Sequence, residues 1–381
     1  MQNRRSVKPY LWMVSGGLLL GMYSCNSQEN NAGKISSDST ATDSSATVKS
    51  TDIKPSGPKP SWAPDIKPEM QAVIEKLASY NAPPMETLTA AQARKNPTPA
   101  TAVMDLIKEH NIVVPVPKVD TAGKEIPIKA GTIHSRIYTP QTGDSSYPVI
   151  VYYHGGGWVI ADLDTYDASA KGLSEQVNAI VVSVEYRKGP EHKFPAAHED
   201  AFTAYQWVLK NAASFKGDPK RIAVAGESAG GNLAANVSIM ARDKKIQMPL
   251  HQLLVYPVAN NDMNSDSYVK NAQAKPLNKP MMAWFVKNYL PSPAASADPR
   301  ISLVKANLKG LPPTTLITDE IDPLQSEGML LRDKLKDAGV DVSFKNYDGV
   351  THEFFGMAAI VPQAKDAQAY ASDNLKKALK K

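Results

Sequence analysis

The chain is nearly empty of cysteine: Cys25 is the only one among 381 residues. That excludes an intrachain disulfide framework and any cysteine-rich metal site. No apolar run reaches the roughly 18 to 20 residues that a membrane-spanning helix needs. An excess of one charge is also small, at +5, and three of those cations (Arg4, Arg5 and Lys8) stand in the first 24 residues with no acid among them. The rest of the chain carries no electrostatic footprint for nucleic acid, so no nucleic-acid partner is expected. What is present is ordinary for a globular protein: 42% hydrophobic and 21% charged residues, which exclude a wholly disordered, collagen-like or coiled-coil chain. The length suffices for one large core or two modest ones.

The beginning reads as an address. Residues 1–24 combine a basic start, an apolar stretch from Leu11 to Met22, and small or polar residues before Cys25. This is the pattern of a secretory signal peptide, and Arg4-Arg5 is similar to the start of a twin-arginine signal. Met22-Tyr23-Ser24-Cys25 resembles the bacterial lipobox, although Met and Tyr stand where Leu and a small residue are usual. The resemblance implies lipidation at Cys25 and an exported cell-envelope lipoprotein, periplasmic or surface-facing, attached to a membrane by its N-terminal lipid. Residues 25–61 are rich in Ser, Thr, Asn, Asp, Lys and Pro and hold no aromatic. They are expected to form a disordered tether with a reach on the order of 30–35 Å.

From residue 62 the pattern is that of a folded α/β unit. Helical spacing runs from Ile66 to Tyr80 and from Thr101 to His110, separated by the Pro-rich breaks Pro83-Pro84 and Pro97-Thr98-Pro99. Thr132 to Thr139 alternates like a strand. Short apolar runs then begin at Val149, Ala179, Ile222, His251, Thr314 and Val342, with helix-like stretches near 166–178, 196–213, 228–242, 281–289 and 325–338. Apolar strands alternating with helices imply a mostly parallel central sheet covered on both faces. The expected layout is therefore short helices and a lead-in over 62–131, then an α/β domain over 132–381. In such sheets ligands bind beyond the carboxyl ends of the strands.

The chemistry sits on those loops. Ile222 to Gly231 reads strand, Gly226-Glu227-Ser228-Ala229-Gly230, then the opening of a helix. The turn is tight enough that side chains at 226 and 230 would clash, and it leaves Ser228 exposed as a nucleophile. A serine hydroxyl needs a base, and in this arrangement the acid and then the histidine follow it along the chain. Of seven histidines only His251 and His352 lie downstream of Ser228. His251 opens an apolar strand, whereas His352 follows one, so His352 is the candidate base. Between them the run after Thr314–Thr318 offers Asp319, Glu320 and Asp322 as acids that would orient the histidine. The strand from Val149 leads into His154-Gly155-Gly156-Gly157-Trp158, a loop whose glycines let the backbone approach a ligand closely. Its amides at Gly156 and Gly157, with that of Ala229, are the candidate oxyanion donors. His154 is expected to shape that loop by hydrogen bonding.

Taken together, HGGGWVIADLDTYD, VSVEYRKGPEHKFPAAHEDA, DPKRIAVAGESAGGNLAA, DEIDPLQSEG and GVTHEFFGM resemble the hormone-sensitive-lipase family of bacterial esterases in order and near the family's spacing. The resemblance extends from about Ile66 to the C-terminal helix. It implies an α/β-hydrolase fold, a helical cap made by the N-terminal helices, and Asp322 as the acid, at the family's Asp-Pro-Leu position. Departures lie at Ala161, Lys188-Gly189, Glu227 and Glu353, beside the nucleophile and base, so the family's substrate preferences do not carry over.

The reading is a serine carboxylesterase acting on short- to medium-chain esters of small molecules, with no cofactor. A carbohydrate deacetylase or an amide hydrolase would use the same triad. A third possibility is a binding or receptor protein on a hydrolase scaffold, which would usually have lost a triad member or an oxyanion glycine. His192 and His198, with their neighbouring acids, match no zinc spacing, and no metal is expected. Trp284, Phe285, Tyr289, Phe354 and Phe355 are open to two readings, acyl-pocket wall or core.

Overall fold

The computed structural model describes residues 53–380. The signal peptide, Cys25 and the first part of the expected tether lie outside the described residues. Strands are β1 (Val119–Ile128), β2 (Gly131–Pro140), β3 (Tyr147–Tyr153), β4 (Ile180–Val184), β5 (Gly217–Glu227), β6 (Gln252–Val255), β7 (Thr314–Ile321) and β8 (Val342–Thr351). Helices are α1 (Pro68–Ser79), α2 (Ala90–Ala93), α3 (Pro99–Glu109), α4 (Asp167–Val177), α5 (Ala196–Asn211), α6 (Ala229–Asp243), α7 (Asp266–Lys270), α8 (Lys279–Tyr289), α9 (Gln325–Asp337) and α10 (Pro362–Leu379).

The strands form a single sheet in the order β1-β2-β4-β3-β5-β6-β7-β8. Pairing is antiparallel from β1 to β2 and from β2 to β4, and parallel from there to β8. Alternation along β3 shows why its sequence is apolar throughout. Val149, Val151 and Tyr153 face the layer holding α5, α6 and α9, while Ile150 and Tyr152 face the layer holding α1, α3, α4 and α10. With both sheet faces covered, no position is left for a polar residue. The parallel ladder sets the carboxyl ends of β3, β5, β7 and β8 along one rim, and each of the four loops named in the sequence leaves from it.

Two expected boundaries move. The sheet begins at Val119, inside the lead-in, because β1 pairs with β2 along its whole length. Of its ten residues only Ile126 is buried, so as an edge strand it has no apolar alternation to betray it. The expected tether also ends earlier than residue 61. Ile53 is packed into the core at 4% exposure. Ser56 and Gly57 donate their amides to Glu75 of α1 (2.6 and 3.1 Å), and Gln71 donates to the carbonyls of Gly57 and Pro58 (2.9 and 3.1 Å). Residues 53–61 have no core of their own; they are ordered by hydrogen bonds to a neighbouring helix, which composition cannot reveal.

The cap is built from two parts of the chain. α2 and α3 start at Thr89 and Thr98, each with a reciprocal capping box, to Gln92 and Thr101. α8, from the segment between β6 and β7, starts on Asn278, which accepts from the Met281 amide. The indole of Trp284 on α8 donates to Leu88 O at 2.9 Å, joining the two parts.

Candidate active site

Ser228 stands between β5 and α6 with φ 56° and ψ −119°, a conformation few non-glycine residues adopt. Two glycines permit the turn. A Cβ on Gly226 would lie 2.1 Å from Gly230 O, and one on Gly230 would lie 1.9 Å from Tyr153 O. The Ser228 amide donates to Val255 O at 2.9 Å, tying the turn to the end of β6. Strain is thus held by the sheet, and the serine side chain is left facing the cavity beyond the strand ends.

His352 follows β8 and lines the same cavity as Ser228. Its Nδ1 lies 2.7 Å from Asp322 Oδ2, the geometry of an N–H donating to a carboxylate. Asp322 is fully buried, and its other oxygen accepts from the Leu324 amide at 2.9 Å. Burial by itself would pull the imidazole down. The charge and hydrogen bond of Asp322, helped by Glu353 and Glu227, outweigh it and hold His352 above the ordinary histidine range. Of the three acids the sequence left open, Asp322 meets the histidine directly. Glu320 turns away, accepting from the Gly349 amide and from Lys270. Asp319 lies buried behind the pair.

The glycine loop borders the cavity at Gly156 and Gly157, with φ of 92° and 58°. A Cβ at Gly155 would fall 2.2 Å from the Tyr166 hydroxyl, at Gly156 2.4 Å from Ile160 O, and at Gly157 2.3 Å from the Phe285 ring. Among the described residues, the amides of Gly156, Gly157 and Ala229 donate to no protein acceptor, so they remain available to a ligand. His154 is fully buried behind the loop, with Nδ1 2.8 Å from Gly155 O and its ring stacked on Tyr186 at 4.3 Å. Trp158 is buried against Tyr289, ring centroids 4.9 Å apart, and anchors the far end of the loop.

Other sequence candidates fall into the framework. His198 uses both ring nitrogens on Tyr289 (2.9 Å) and Asn232 (3.0 Å), and burial pushes it down to about 4. His251 is buried on Thr315. Of the five aromatics open to two readings, Phe285 lines the cavity, while Tyr289, Phe354 and Phe355 are fully buried core.

Three features escaped the sequence analysis. Glu227, beside Ser228, accepts from the hydroxyls of Tyr152 and Tyr256, and the Tyr256 ring lies 4.5 Å from that of His352. Burial pushes the Glu227 carboxyl up. Arg94 of the cap donates to Val159 O (2.8 Å) and Gly189 O (2.6 Å) and forms a two-pronged pair with Glu191, fastening the cap to the glycine loop. Last, α8 adds Met281, Met282 and Val286 to the cavity wall beside Phe285, which the sequence had left open between wall and core. The signal for α8 was a run of apolar residues on a capped helix, but nothing local says that it roofs a site. The cavity holds about 390 Å³, with Ser228, His352 and the glycines as its polar floor and Met85, Leu277 and α8 as its apolar wall.

Comparison with known proteins agrees with this arrangement. The model of a family described as "alpha/beta hydrolase fold" matches residues 150–356. The chain is similar to the carboxylesterase NlhH of Mycobacterium tuberculosis, 40% identical over 248 residues that cover 64% of this chain and 78% of that protein. It is 29% identical to an ethyl acetate hydrolase of Pseudomonas putida over 80% of this chain and 95% of that one. Among solved structures, a hyperthermophilic esterase from Pyrobaculum calidifontis superposes with a TM-score of 0.76 at 35% identity, over 82% of this chain and 98% of the other.

Proposed function

Because the chain belongs to the hormone-sensitive-lipase-like esterases of the alpha/beta hydrolase fold, we propose that it is a serine carboxylesterase that cleaves short- to medium-chain esters through an acyl-enzyme on Ser228. The observation that carries this reading is the Asp322–His352 contact of 2.7 Å in a cavity that His352 shares with Ser228. Ser228 Oγ attacks the ester carbonyl carbon while His352 Nε2 takes the hydroxyl proton, and Asp322 supports the resulting imidazolium. The carbonyl oxygen, now negative, is met by the amides of Gly156, Gly157 and Ala229. Collapse breaks the bond to the alkoxy oxygen, and His352 returns its proton to the departing alcohol. Water then attacks the acyl-enzyme with His352 again as base, releasing the carboxylic acid and restoring Ser228.

The acyl-length part of the reading is supported by the apolar wall of the cavity, about 390 Å³, which suits a short or medium acyl group. Export and lipid attachment at Cys25 belong to the same reading: a soluble catalytic unit held at a membrane by its N-terminus.

The test uses the full-length protein on p-nitrophenyl acetate, butyrate, octanoate and palmitate, with Ser228→Ala alongside. Turnover that peaks at the short or middle chains and vanishes in the variant is expected, together with labelling of Ser228 by a fluorophosphonate. A folded protein that turns over none of them and takes no label would leave the binding-scaffold reading in its place.

A further inference from the structure

Asp319 has no part in the reaction above, yet it is fully buried on β7, three residues before Asp322. Neither of its oxygens accepts from any N–H or ordinary O–H donor among the described residues. What it meets is acid. One oxygen of Asp319, one of Asp322 and a ring nitrogen of His352 all lie within 4.8 Å of one another. Two carboxylates so close in a dry interior do not both ionise. Both oxygens of Asp322 already face donors, His352 Nδ1 and the Leu324 amide. The proton therefore belongs on Asp319. Burial pushes that carboxyl well up, and the charge of Asp322 pushes it in the same direction.

We propose that Asp319 is a positioning residue of this site: a neutral carboxylic acid whose O–H donates to the Asp322 carboxylate, which itself faces His352 Nδ1. The inference rests on the esterase reading for its catalytic meaning and on geometry for its placement. It removes two difficulties at once, because a protonated Asp319 no longer lacks a partner and Asp322 gains a third donor. The surroundings require such an economy of charge. Glu327 of α9 and Tyr268 of α7 face Asp322, while Glu227, Glu353 and the Tyr256 ring face His352. One more negative charge among these carboxyls would raise the basicity of His352 further. A hydrogen bond from Asp319 does the opposite: it draws charge from Asp322 and lowers the hold of Asp322 on the imidazolium.

Replacing Asp319 with Asn keeps a donor and the shape; replacing it with Ala removes both. The experiment measures kcat and KM against pH for the full-length wild type, Asp319→Asn and Asp319→Ala on p-nitrophenyl butyrate. In parallel, the His352 ring is titrated by NMR in each protein carrying Ser228→Ala. The Asn variant is expected to keep the acid limb of kcat/KM within about 0.2 pH unit of wild type, and the Ala variant to move it upward by about half a unit with a tenfold lower kcat and unchanged KM. An acid limb that falls in Asp319→Asn would mean that a negative charge had been removed, and would overturn the proposal. So would Asn and Ala variants that both behave as wild type. If the Ala protein does not fold, Asp319→Leu, which removes the donor and keeps the bulk, takes its place with the same expected upward shift. Should the wild type hydrolyse no ester, the esterase reading fails, and the NMR titration still reports whether Asp319 acts on His352.

Discussion

The floor and the roof of the cavity are built by different rules. On the floor, Ser228, Asp322, His352 and the glycine loop each leave the carboxyl end of a strand, and neighbouring strands hold those ends in register through backbone ladders. The roof comes from α2 and α8 with the segments around them, held by side chains: Arg94 fastens it to Val159 and Gly189, Trp284 joins its two parts at Leu88, and Lys193 holds a carbonyl at the end of α8. A ladder admits one position for a catalytic atom, whereas a side-chain strut leaves a wall that can be re-lined without disturbing what lies below. Chemistry and selectivity are therefore expected to separate in mutant kinetics, with floor changes lowering kcat and roof changes altering chain-length preference.

The largest effect tests the floor at its centre. Ser228→Ala should lower kcat on p-nitrophenyl butyrate by about 10⁴- to 10⁶-fold with little change in fold, as checked by circular dichroism. Asp322→Asn should cost about 10³- to 10⁴-fold in kcat with KM nearly constant, because the imidazole would lose its anionic partner. Gly157→Ala addresses the meeting of floor and roof. Its Cβ would press on the Phe285 ring at 2.3 Å from a backbone with φ 58°, and a displaced amide there should cost about 10²- to 10³-fold in kcat. If the two regions are independent, Phe285→Ala added to it should restore only part of that loss, since the backbone strain remains.

A pH profile tests the floor without mutation. The base must be neutral to accept the serine proton, and Asp322, against the effect of burial, holds His352 above the ordinary histidine value. Activity should therefore be full at alkaline pH and fall about tenfold per pH unit once the pH drops below that raised value. The smallest effect belongs to the roof. Phe285→Leu together with Met281→Ala should leave kcat/KM on the acetate within about tenfold while shifting the preferred chain length upward. A loss on the acetate as large as that of Gly157→Ala would break the comparison and make α8 part of the catalytic machinery.

How much of this could be read along the chain follows the same division. The Ser228 turn and the glycine loop were legible because each is announced by a strand and by glycines in the turn, and His352 because, of the two histidines downstream of Ser228, it alone follows a strand. Asp322 was legible through the family resemblance, since local pattern left three carboxylates open within four positions. β1 was not legible: an edge strand with one buried residue in ten carries no hydrophobic period. Nor were Arg94 and Glu191, 97 residues apart, or the ordering of Ser56 and Gly57 by Glu75. Each is a contact between distant segments, with no local trace.

The sequence by itself determined the alternation of strand and helix and the tight, glycine-flanked serine turn, because both follow from steric and hydrophobic rules acting over a few neighbouring residues. Tertiary structure alone decided which carboxylate is buried behind the Asp322–His352 pair, which distant segments fasten the cap, and which side chains roof the cavity. Those outcomes depend on distances and desolvation between segments that only the closed sheet brings together.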